Sequence, residues 1–425
     1  MKTAVIGAGW SGCAAAVEAT RLGQQVTVFE AARIPGGRAR RVDGQWPDGT
    51  ALPLDNGQHI LIGAYSDTLR LMRDVGVDTE TSLLRLPLTM QFPDGTGLKL
   101  PQLPTPLDTL VGIAGVRGWT WRDKLLLMHA AVRWQWAGFR CAPQRSVAQL
   151  CQRLSPAVMA GLIEPLCVSA LNTPAERASA QMFLRVLRDA LFSHSGGSNL
   201  LLPRADLSAL LPDAALAWVA QRGGEVRLGH RVQALAFTAS GWRVDDAVFD
   251  RVILACPPTQ AARLAQACGL PCEAWLAQTR ALQFETITTV YAFSPGTVLV
   301  RPMLALRTGT PNGPAPAQFV FDRGQLGGPI GLLAFVVSAS TGDSAALGSQ
   351  VLAQGQRQLG LRTLNAVQTI VEKRATFACL PSLQRPSAQI LPGLLACGDY
   401  IDGPYPATLE GAVRSGLQAA RAAIH

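Results

Sequence analysis

Apolar and polar positions near the start of the chain alternate in blocks that predict a strand, a helix and a second strand. Residues 3–6 form a short apolar run that ends in glycines. Residues 13–22 have helical composition, and residues 25–30 form a second apolar run that is rich in β-branched side chains. A strand, a crossover helix and another strand of these lengths form a βαβ unit with parallel strands. The pattern therefore predicts the start of a Rossmann-like α/β domain.

Farther along the chain the pattern changes twice. Residues 85–190 are rich in Leu, Trp and Arg and predict helices, notably over 119–140 and 175–191. Strand-like runs return afterwards, at residues 225–237, 251–255, 286–293 and 319–338, and residues 394–423 predict a strand, a loop and a helix. We therefore expect the Rossmann-like domain to be discontinuous, with an α+β domain inserted into it in two pieces.

Composition narrows the class of protein. Of the 425 residues, 48% are apolar and 16% are charged, so the chain can bury a large core. The formal charge of +9 comes from arginine, and no basic tract with interleaved aromatic residues predicts a nucleic-acid partner. Nine cysteines without paired CxxC motifs favour reduced thiols and no metal site. Since neither a leader nor an apolar run of ~20 residues is visible, we expect a cytoplasmic protein.

Glycines after the first predicted strand have the spacing GxGxxG. Gly7 permits a tight turn, Gly9 lets backbone approach a pyrophosphate, and Gly12 lets the following helix pack closely on the strand. The N-terminus of that helix favours phosphate through its amides and its dipole. Glu30 ends the second strand, where a carboxylate accepts hydrogen bonds from ribose hydroxyls and repels a 2′-phosphate. NADP is therefore disfavoured, and FAD and NAD remain as candidate cofactors.

Four later motifs resemble the flavoprotein superfamily that includes amine oxidases and carotenoid desaturases. Residues 30–38 match its ExxxxxGGR segment, residues 54–59 its DxGxH strand, residues 395–399 its Gly-Asp pair, and residues 408–416 its flavin-facing helix. The resemblance implies FAD held without a covalent bond. The cofactor-binding residues that it implies are Gly7, Gly9, Trp10, Ser11, Gly12, Glu30, Ala31, Gly36, Gly37, Arg38, Gly57, Gln58, His59, Val232, Gly398, Asp399, Thr408, Leu409 and Ala412.

The same resemblance assigns the two domains. An FAD-binding domain of the glutathione-reductase type is expected over residues 1–85, 195–280 and 375–425. An α+β substrate-binding domain is expected over residues 86–194 and 281–374. Acids placed near the flavin by motif position are candidate catalytic residues, and the sequence does not choose among His59, Tyr400, Asp402 and Tyr405.

Residues 55–65 and 166–189 are similar to hydroxysqualene dehydroxylases, also known as squalene-associated FAD-dependent desaturases. This resemblance implies that reduced FAD removes the hydroxyl of hydroxysqualene, a C30 isoprenoid, to give squalene for hopanoid synthesis. The main alternative is a carotenoid or squalene desaturase, which moves electrons in the opposite direction. An amine oxidase is disfavoured, because no lysine lies between Lys124 and Lys373 to serve the flavin as in many such enzymes. A non-catalytic isoprenoid-binding escort is disfavoured by the intact cofactor motifs.

Residues 115–140 combine Trp with Arg and Lys, and two interpretations of this segment stay open. The composition suits a helix at a bilayer surface, which would place the protein peripherally on the inner face of the cell membrane. It equally suits a plain amphipathic helix packed on its own domain. Association with other enzymes of squalene synthesis is a further expectation from the resemblance.

Overall fold

The computed structural model describes residues 1–103, 107–191, 196–309 and 313–422. The expected domain boundary at 194/195 lies outside the described residues. The strands are β1 (Lys2–Ile6), β2 (Gln25–Glu30), β3 (Arg41–Gln45), β4 (Ala51–Asp55), β5 (Leu61–Ile62), β6 (Leu83–Leu86), β7 (Thr89–Gln91), β8 (Gly97–Lys99), β9 (Leu200–Pro203), β10 (Glu225–Leu228), β11 (Leu235–Thr238), β12 (Gly241–Val244), β13 (Ala247–Phe249), β14 (Arg251–Leu254), β15 (Phe284–Phe293), β16 (Met303–Ala305), β17 (Phe319–Asp322), β18 (Leu332–Ser338), β19 (Asn365–Phe377), β20 (Gln389–Leu391) and β21 (Leu394–Ala396).

Helices lie between these strands. They are α1 (Trp10–Arg21), α2 (Ser66–Asp74), α3 (Thr79–Ser82), α4 (Leu107–Ala114), α5 (Trp121–Trp136), α6 (Val147–Leu150), α7 (Pro156–Val158), α8 (Glu164–Leu171), α9 (Ala180–Leu191), α10 (Leu207–Leu210), α11 (Pro212–Gln221), α12 (Pro258–Ala267), α13 (Glu273–Arg280), α14 (Ser344–Leu359) and α15 (Leu409–Arg421). A π-helix, Met159–Ile163, leads into α8, and a 3₁₀ turn, Arg323–Leu326, follows β17. No helix in the described part of the chain has both the length and the apolarity to cross a membrane.

A six-stranded sheet in the order β10-β2-β1-β14-β21-β20 forms the centre of the expected cofactor domain. Its strands are parallel except β20, which runs antiparallel to β21. Strand β1 is buried from Thr3 to Ile6 and β14 along its whole length, because helix α1 packs on one face of the sheet and the three-stranded sheet β11-β12-β13 packs on the other. The predicted α/β fold with an initial βαβ unit is confirmed.

A five-stranded antiparallel sheet in the order β16-β17-β18-β15-β19 belongs to the expected substrate domain. The predicted continuous run at 319–338 is two strands, because the 3₁₀ turn and Gly327, with φ +86°, reverse the chain between them. The run at 225–237 is likewise interrupted, since the chain leaves the six-stranded sheet after β10 and enters a separate three-stranded sheet, β11-β12-β13, as β11.

Glycines let helix α1 lie unusually close to its neighbours. A Cβ on Gly12 would lie 1.9 Å from the carbonyl oxygen of Gly7, and a Cβ on Gly416 would lie 2.1 Å from the carbonyl oxygen of Ser11. Both distances are far below van der Waals contact. Helix α1 therefore packs against the turn after β1 and against α15, and this packing positions the N-termini of both helices at one end of the sheet.

Candidate functional site

A cavity of about 640 Å³ begins at the carboxyl ends of the parallel strands β1, β2, β14 and β21. It continues to the five-stranded sheet and to helix α8, since Ile287, Phe319 and Val168 also line it. In open α/β sheets this edge is where ligands bind, because loops and helix N-termini surround it. The cavity thus joins the expected cofactor domain to the expected substrate domain.

The N-terminus of α1 forms one wall of the cavity, with Gly9, Trp10 and Ser11 in the lining. Gly9 precedes the helix without a side-chain cap, so the first amides and the positive end of the helix dipole face the cavity. The Trp10 indole donates to the carbonyl oxygen of Ala39 over 3.0 Å, which anchors the turn that brings Gly36 and Gly37 into the same wall. This wall can hold phosphate groups.

Gly12 does not line the cavity. Its place in the lining is taken by neighbouring residues, because Gly12 faces the Gly7 carbonyl and the side chain of Ala255. These contacts give Gly12 a packing role, and a contact between Gly12 and the cofactor stays a prediction. Gly7 does line the cavity, and its φ of +113° is a conformation that other residues rarely adopt.

Glu30 lies at the end of β2 and lines the cavity together with Ala31 and Val232. One carboxylate oxygen accepts from the amide of Ala8 over 2.6 Å, and the other accepts from the amide of Ala32 over 2.8 Å. These two bonds fix the carboxylate and leave lone pairs for a ligand, since each oxygen can accept more than one hydrogen bond. The arrangement can bind the hydroxyls of a ribose.

Arg38 and Asp399 form an ion pair in the cavity wall, next to Gly398. Arg38 also donates to the carbonyl oxygen of Ala375 over 2.8 Å. Burial alone would lower the pKa of the Arg38 guanidinium, but the Asp399 carboxylate offsets burial and the pKa is raised. The guanidinium therefore stays charged at the point where the expected pyrophosphate would lie.

The segment after β4 places Gly57, Gln58 and His59 in the cavity lining. Arg323 donates to the side-chain oxygen of Gln58 over 3.1 Å and so holds this segment from the opposite domain. Burial, together with the nearby Arg38 charge, lowers the pKa of His59 to about 4. His59 is therefore neutral at physiological pH, and it cannot supply a proton as an imidazolium.

Helix α15 presents its N-terminus to the cavity through Thr408, Leu409 and Ala412. Thr408 caps the helix by accepting from the amide of Gly411 over 3.0 Å. Glu410 points away from the cavity and is fully buried, where it accepts from the amides of Asp67 and Thr68 at 3.1 and 2.9 Å. The positive end of this helix can stabilise negative charge on a bound group.

The four catalytic candidates separate in the structure. His59 and Tyr400 line the cavity, whereas Asp402 and Tyr405 do not. Asp402 is exposed and pairs with Arg385, so it faces solvent. Tyr405 packs its ring edge-on against Tyr65 and lies beneath the Arg414 guanidinium. The geometry therefore favours His59 and Tyr400 over Asp402 and Tyr405 as residues that reach a bound substrate.

Tyr400 is the candidate with a free polar atom. Its hydroxyl is buried, and among the described residues it has no hydrogen-bond partner. Burial raises the pKa of Tyr400 well above its ordinary value, so the phenol keeps its proton. A buried hydroxyl without a partner is costly unless a ligand completes it, which indicates that Tyr400 contacts a bound molecule.

The far end of the cavity is mostly apolar, and its residues were not predicted individually. They come from four elements and from the segment after β4, and are Ile60, Val168, Ala170, Ile287, Phe319, Phe321 and Val336. Among the described residues no lysine lines the cavity. The missed residues include one acid, Glu372, whose charge contributes to the raised pKa of Arg38.

Asn172 and Thr173 join the helical part of the substrate region to its sheet. The Asn172 side chain donates to the hydroxyl of Thr376 over 3.0 Å and accepts from the amide of Ala339 over 2.9 Å. The Thr173 hydroxyl accepts from the amide of Cys379 over 3.1 Å. These bonds place helix α8 against the cavity, so this distinctive segment of the sequence shapes the apolar end.

The fold and the site define a flavoprotein oxidoreductase. The chain belongs to the flavin-containing amine oxidoreductase family, whose sequence profile matches residues 10–424. Family membership implies a flavin cofactor. Solved structures agree on the fold: an oxidoreductase from Methanosarcina mazei superposes with a TM-score of 0.73 at 18% identity, covering 98% of this chain and 99% of the other.

Curated relatives indicate to which flavoprotein oxidoreductases this chain is similar. The chain is 30% identical to the hydroxysqualene dehydroxylase of Rhodopseudomonas palustris over 98% of this chain and 96% of the relative. It is 28% identical to the hydroxysqualene dehydroxylase of Sinorhizobium fredii over 99% and 97% of the two chains. A shorter match, 37% identical, covers 18% of this chain and 15% of the zeta-carotene desaturase of Synechocystis.

Proposed function

We propose that the protein uses FAD to convert hydroxysqualene to squalene, in the synthesis of squalene and hopanoids. The observation that carries this proposal is similarity along the whole chain to several proteins with that activity in their names. The apolar far end of the cavity supports it, because a C30 hydrocarbon binds mainly by burial of apolar surface.

FAD is the flavin that the cavity suits best. Its adenosine would lie between Glu30 and Val232, its pyrophosphate at the N-terminus of α1 opposite Arg38, and its ring system near His59 and helix α15. The extent of the lining supports this assignment, since it runs without a break from Glu30 at the end of β2 to Thr408 before α15. The smaller flavin FMN has no adenosine to fill the Glu30 end. We also propose the two domains within the boundaries expected from the sequence.

The reaction replaces a carbon–oxygen bond by a carbon–hydrogen bond. The hydroxyl leaves with one proton as water, and reduced flavin, when bound, supplies the hydride that the carbon accepts. Tyr400 is our candidate to donate a hydrogen bond or a proton to the leaving hydroxyl, because it keeps its proton and has no partner among the described residues. Neutral His59 would orient the substrate or the flavin.

An anaerobic single turnover tests the proposal. The flavin of the purified protein is identified after release, reduced with dithionite and mixed with hydroxysqualene, while flavin absorbance and squalene are followed. We expect flavin reoxidation with stoichiometric squalene. The proposal would be overturned in favour of a desaturase by two results together. Reduced flavin would not react with hydroxysqualene, and oxidised flavin would be reduced, and so lose its absorbance, on addition of squalene or a carotene.

Two variants test the proton donor. We expect Tyr400→Phe to keep its flavin and to slow single turnover roughly a hundredfold, as is usual for loss of a general acid. Tyr405→Phe is the matched control, because Tyr405 lies outside the cavity lining. Full turnover by the Tyr400→Phe variant would remove Tyr400 from the mechanism without affecting the substrate assignment.

Peripheral contact with the inner face of the cell membrane is also part of this proposal, as is association with other enzymes of squalene synthesis. A substrate of this kind resides in lipid, so an enzyme that collects it gains from contact with a bilayer.

A further inference from the structure

Helix α5 packs one side on its own domain and exposes large apolar side chains on the other. Leu127 is 3% exposed, and Asp123 and Lys124 at the start of the helix are also buried, whereas Trp121 and Trp136 are 68% and 86% exposed. A helix packed on its own domain buries its tryptophans and solvates its charges. The inner side of α5 fits packing on its own domain, and the exposed tryptophans on its outer side are what that interpretation leaves unexplained.

Local bonds explain how the two charges can turn inward. The Asp123 carboxylate accepts from the amide and the hydroxyl of Thr120. The Thr120 hydroxyl in turn accepts from the Asp123 amide, so the two residues form a capping box at the start of the helix. The Lys124 ammonium donates to the carbonyl oxygen of Ala114 over 2.6 Å and lies 4.8 Å from the centre of the Trp121 ring. Both charges are thus satisfied without solvent.

The exposed apolar side chains form one stripe. Trp121, Leu125, Val132 and Trp136 are all exposed, and their spacings of 4, 7 and 4 residues place them within one side of a helix. Helix α4, whose end contacts Lys124, adds exposed Leu110 and Val111. We call these six residues the docking face.

The charge around the docking face has one sign. From the start of α4 at residue 107 to residue 163 the sequence contains seven Lys and Arg residues and two acids, Asp108 and Asp123, both of which are buried. Arg117, Arg122, Arg133 and Arg140 among them are exposed. Exposed tryptophans flanked by arginines match a bilayer interface, where indole rings settle at headgroup level and arginines meet anionic lipid.

We propose that the docking face binds an anionic phospholipid bilayer, with α5 lying in the plane of the surface. The bilayer is preferred over a protein partner because the exposed charged residues between residues 107 and 163 are all arginines and the apolar residues form a stripe along a helix rather than a groove. The binding of lipid does not depend on which substrate the site takes, while delivery of a lipid-borne substrate rests on the proposed function.

Vesicle flotation tests the docking face with the full-length holoprotein. Vesicles are made of phosphatidylcholine alone or of phosphatidylcholine with phosphatidylglycerol. We expect binding to the anionic vesicles that weakens with salt, and little binding to the neutral ones. Trp136→Glu should weaken binding to anionic vesicles at least about tenfold, because a largely exposed indole loses its burial in the interface.

Matched variants separate docking from folding. Val300→Glu is the control for Trp136→Glu, since Val300 is also largely exposed and lies outside the docking face. Arg133→Gln should weaken binding about fivefold, and Arg362→Gln, at another exposed arginine, should not. All four variants should turn over detergent-dispersed substrate like the unmodified protein, so failure of docking and failure of the proposed function are distinguishable.

The proposal is overturned if the unmodified protein ignores anionic vesicles, or if Trp136→Glu and Val300→Glu bind them equally. A protein that ignores vesicles and is a dimer in solution, but becomes a monomer with Trp136→Glu, would assign the docking face to a second copy of the chain.

Discussion

Glu410 is the residue whose replacement most directly tests how helix α15 is held at the cavity. Its carboxylate accepts from the Asp67 and Thr68 amides and from the Thr68 hydroxyl, the last over 2.7 Å. These amides belong to the first turn of α2, whose N-cap position, Tyr65, provides no side-chain bond. Glu410 therefore caps α2 from another helix, and it also pairs with Arg414 over 2.7 Å.

The Glu410→Ala substitution leaves two helix amides and a hydroxyl without an acceptor in a buried place. Breaking a buried, hydrogen-bonded ion pair costs about 3–5 kcal/mol. We expect the lower end of this range, because Arg414 keeps a second partner in Asp67 at 2.9 Å. The free energy of unfolding is measured by urea titration followed by circular dichroism.

Two further variants calibrate that measurement. Glu410→Gln keeps one acceptor oxygen, so we expect it to lose less unfolding free energy than Glu410→Ala. Glu273→Ala removes an exposed acid from the first turn of α13 and should change stability by no more than about 0.5 kcal/mol. The reasoning is refuted if Glu410→Ala costs less than about 1 kcal/mol, which is the loss expected for an exposed cap.

Three other substitutions have expected outcomes. Gly12→Ala places a Cβ 1.9 Å from a carbonyl oxygen and should reduce both soluble yield and flavin content, whereas Gly348→Ala, with its nearest atom at 3.5 Å, should be tolerated; urea unfolding and flavin-to-protein ratios check both. Burial raises the pKa of Asp55 to about 6, so the folded protein binds the Asp55 proton more tightly than the unfolded chain does. The free energy of unfolding that Asp55 contributes therefore falls as the pH rises from about 4 to 6. In the Asp55→Asn variant this decrease, which amounts to about 3 kcal/mol, should be absent. A variant whose urea unfolding depends on pH like that of the unmodified protein would contradict this expectation. Asp343→Ala removes an N-cap that accepts from two amides and should cost about 1 kcal/mol in the same assay.

The cofactor end of the fold was predictable because its signals are local. A buried parallel strand reads as a continuous apolar run, and the spacing of Gly7, Gly9 and Gly12 fixes a turn before a helix within a few residues. The helix predicted over 119–140 is α5, which the Thr120 capping box and Gly138, with φ +61°, limit to Trp121–Trp136.

The β7–β8 hairpin was missed within the segment predicted to be helical, although a local signal was present. Asp94 and Gly95 form its turn, where Asp94 accepts from the amide of Thr96 over 3.0 Å and Gly95 has φ +78°. An Asp-Gly pair between two short apolar runs is a strong hairpin signal. The Leu-rich composition of the surrounding residues nevertheless predicted a helix there.

The apolar end of the cavity had no local signal. Val168, Ile287, Phe319 and Val336 come from α8, β15, β17 and β18, and each is an ordinary core residue in its own segment. Only the packing of α8 onto the sheet through Asn172 makes them one wall. Tertiary contacts of this kind leave no trace in composition or periodicity.

The carboxylates near the cofactor motifs have structural tasks in this fold. Glu30, Glu410 and Asp399 each hold loop amides, helix amides or an arginine, so they build the cavity walls. Asp402 likewise holds the Gly403 amide and Arg385, but its own side chain is exposed. In a chain with 16% charged residues, a buried acid near a motif is therefore more often committed to holding backbone than to moving protons. A proton donor is then expected among side chains whose polar atom has no hydrogen-bond partner in the protein. Among the described residues that line the cavity, Tyr400 has such an atom, its hydroxyl oxygen.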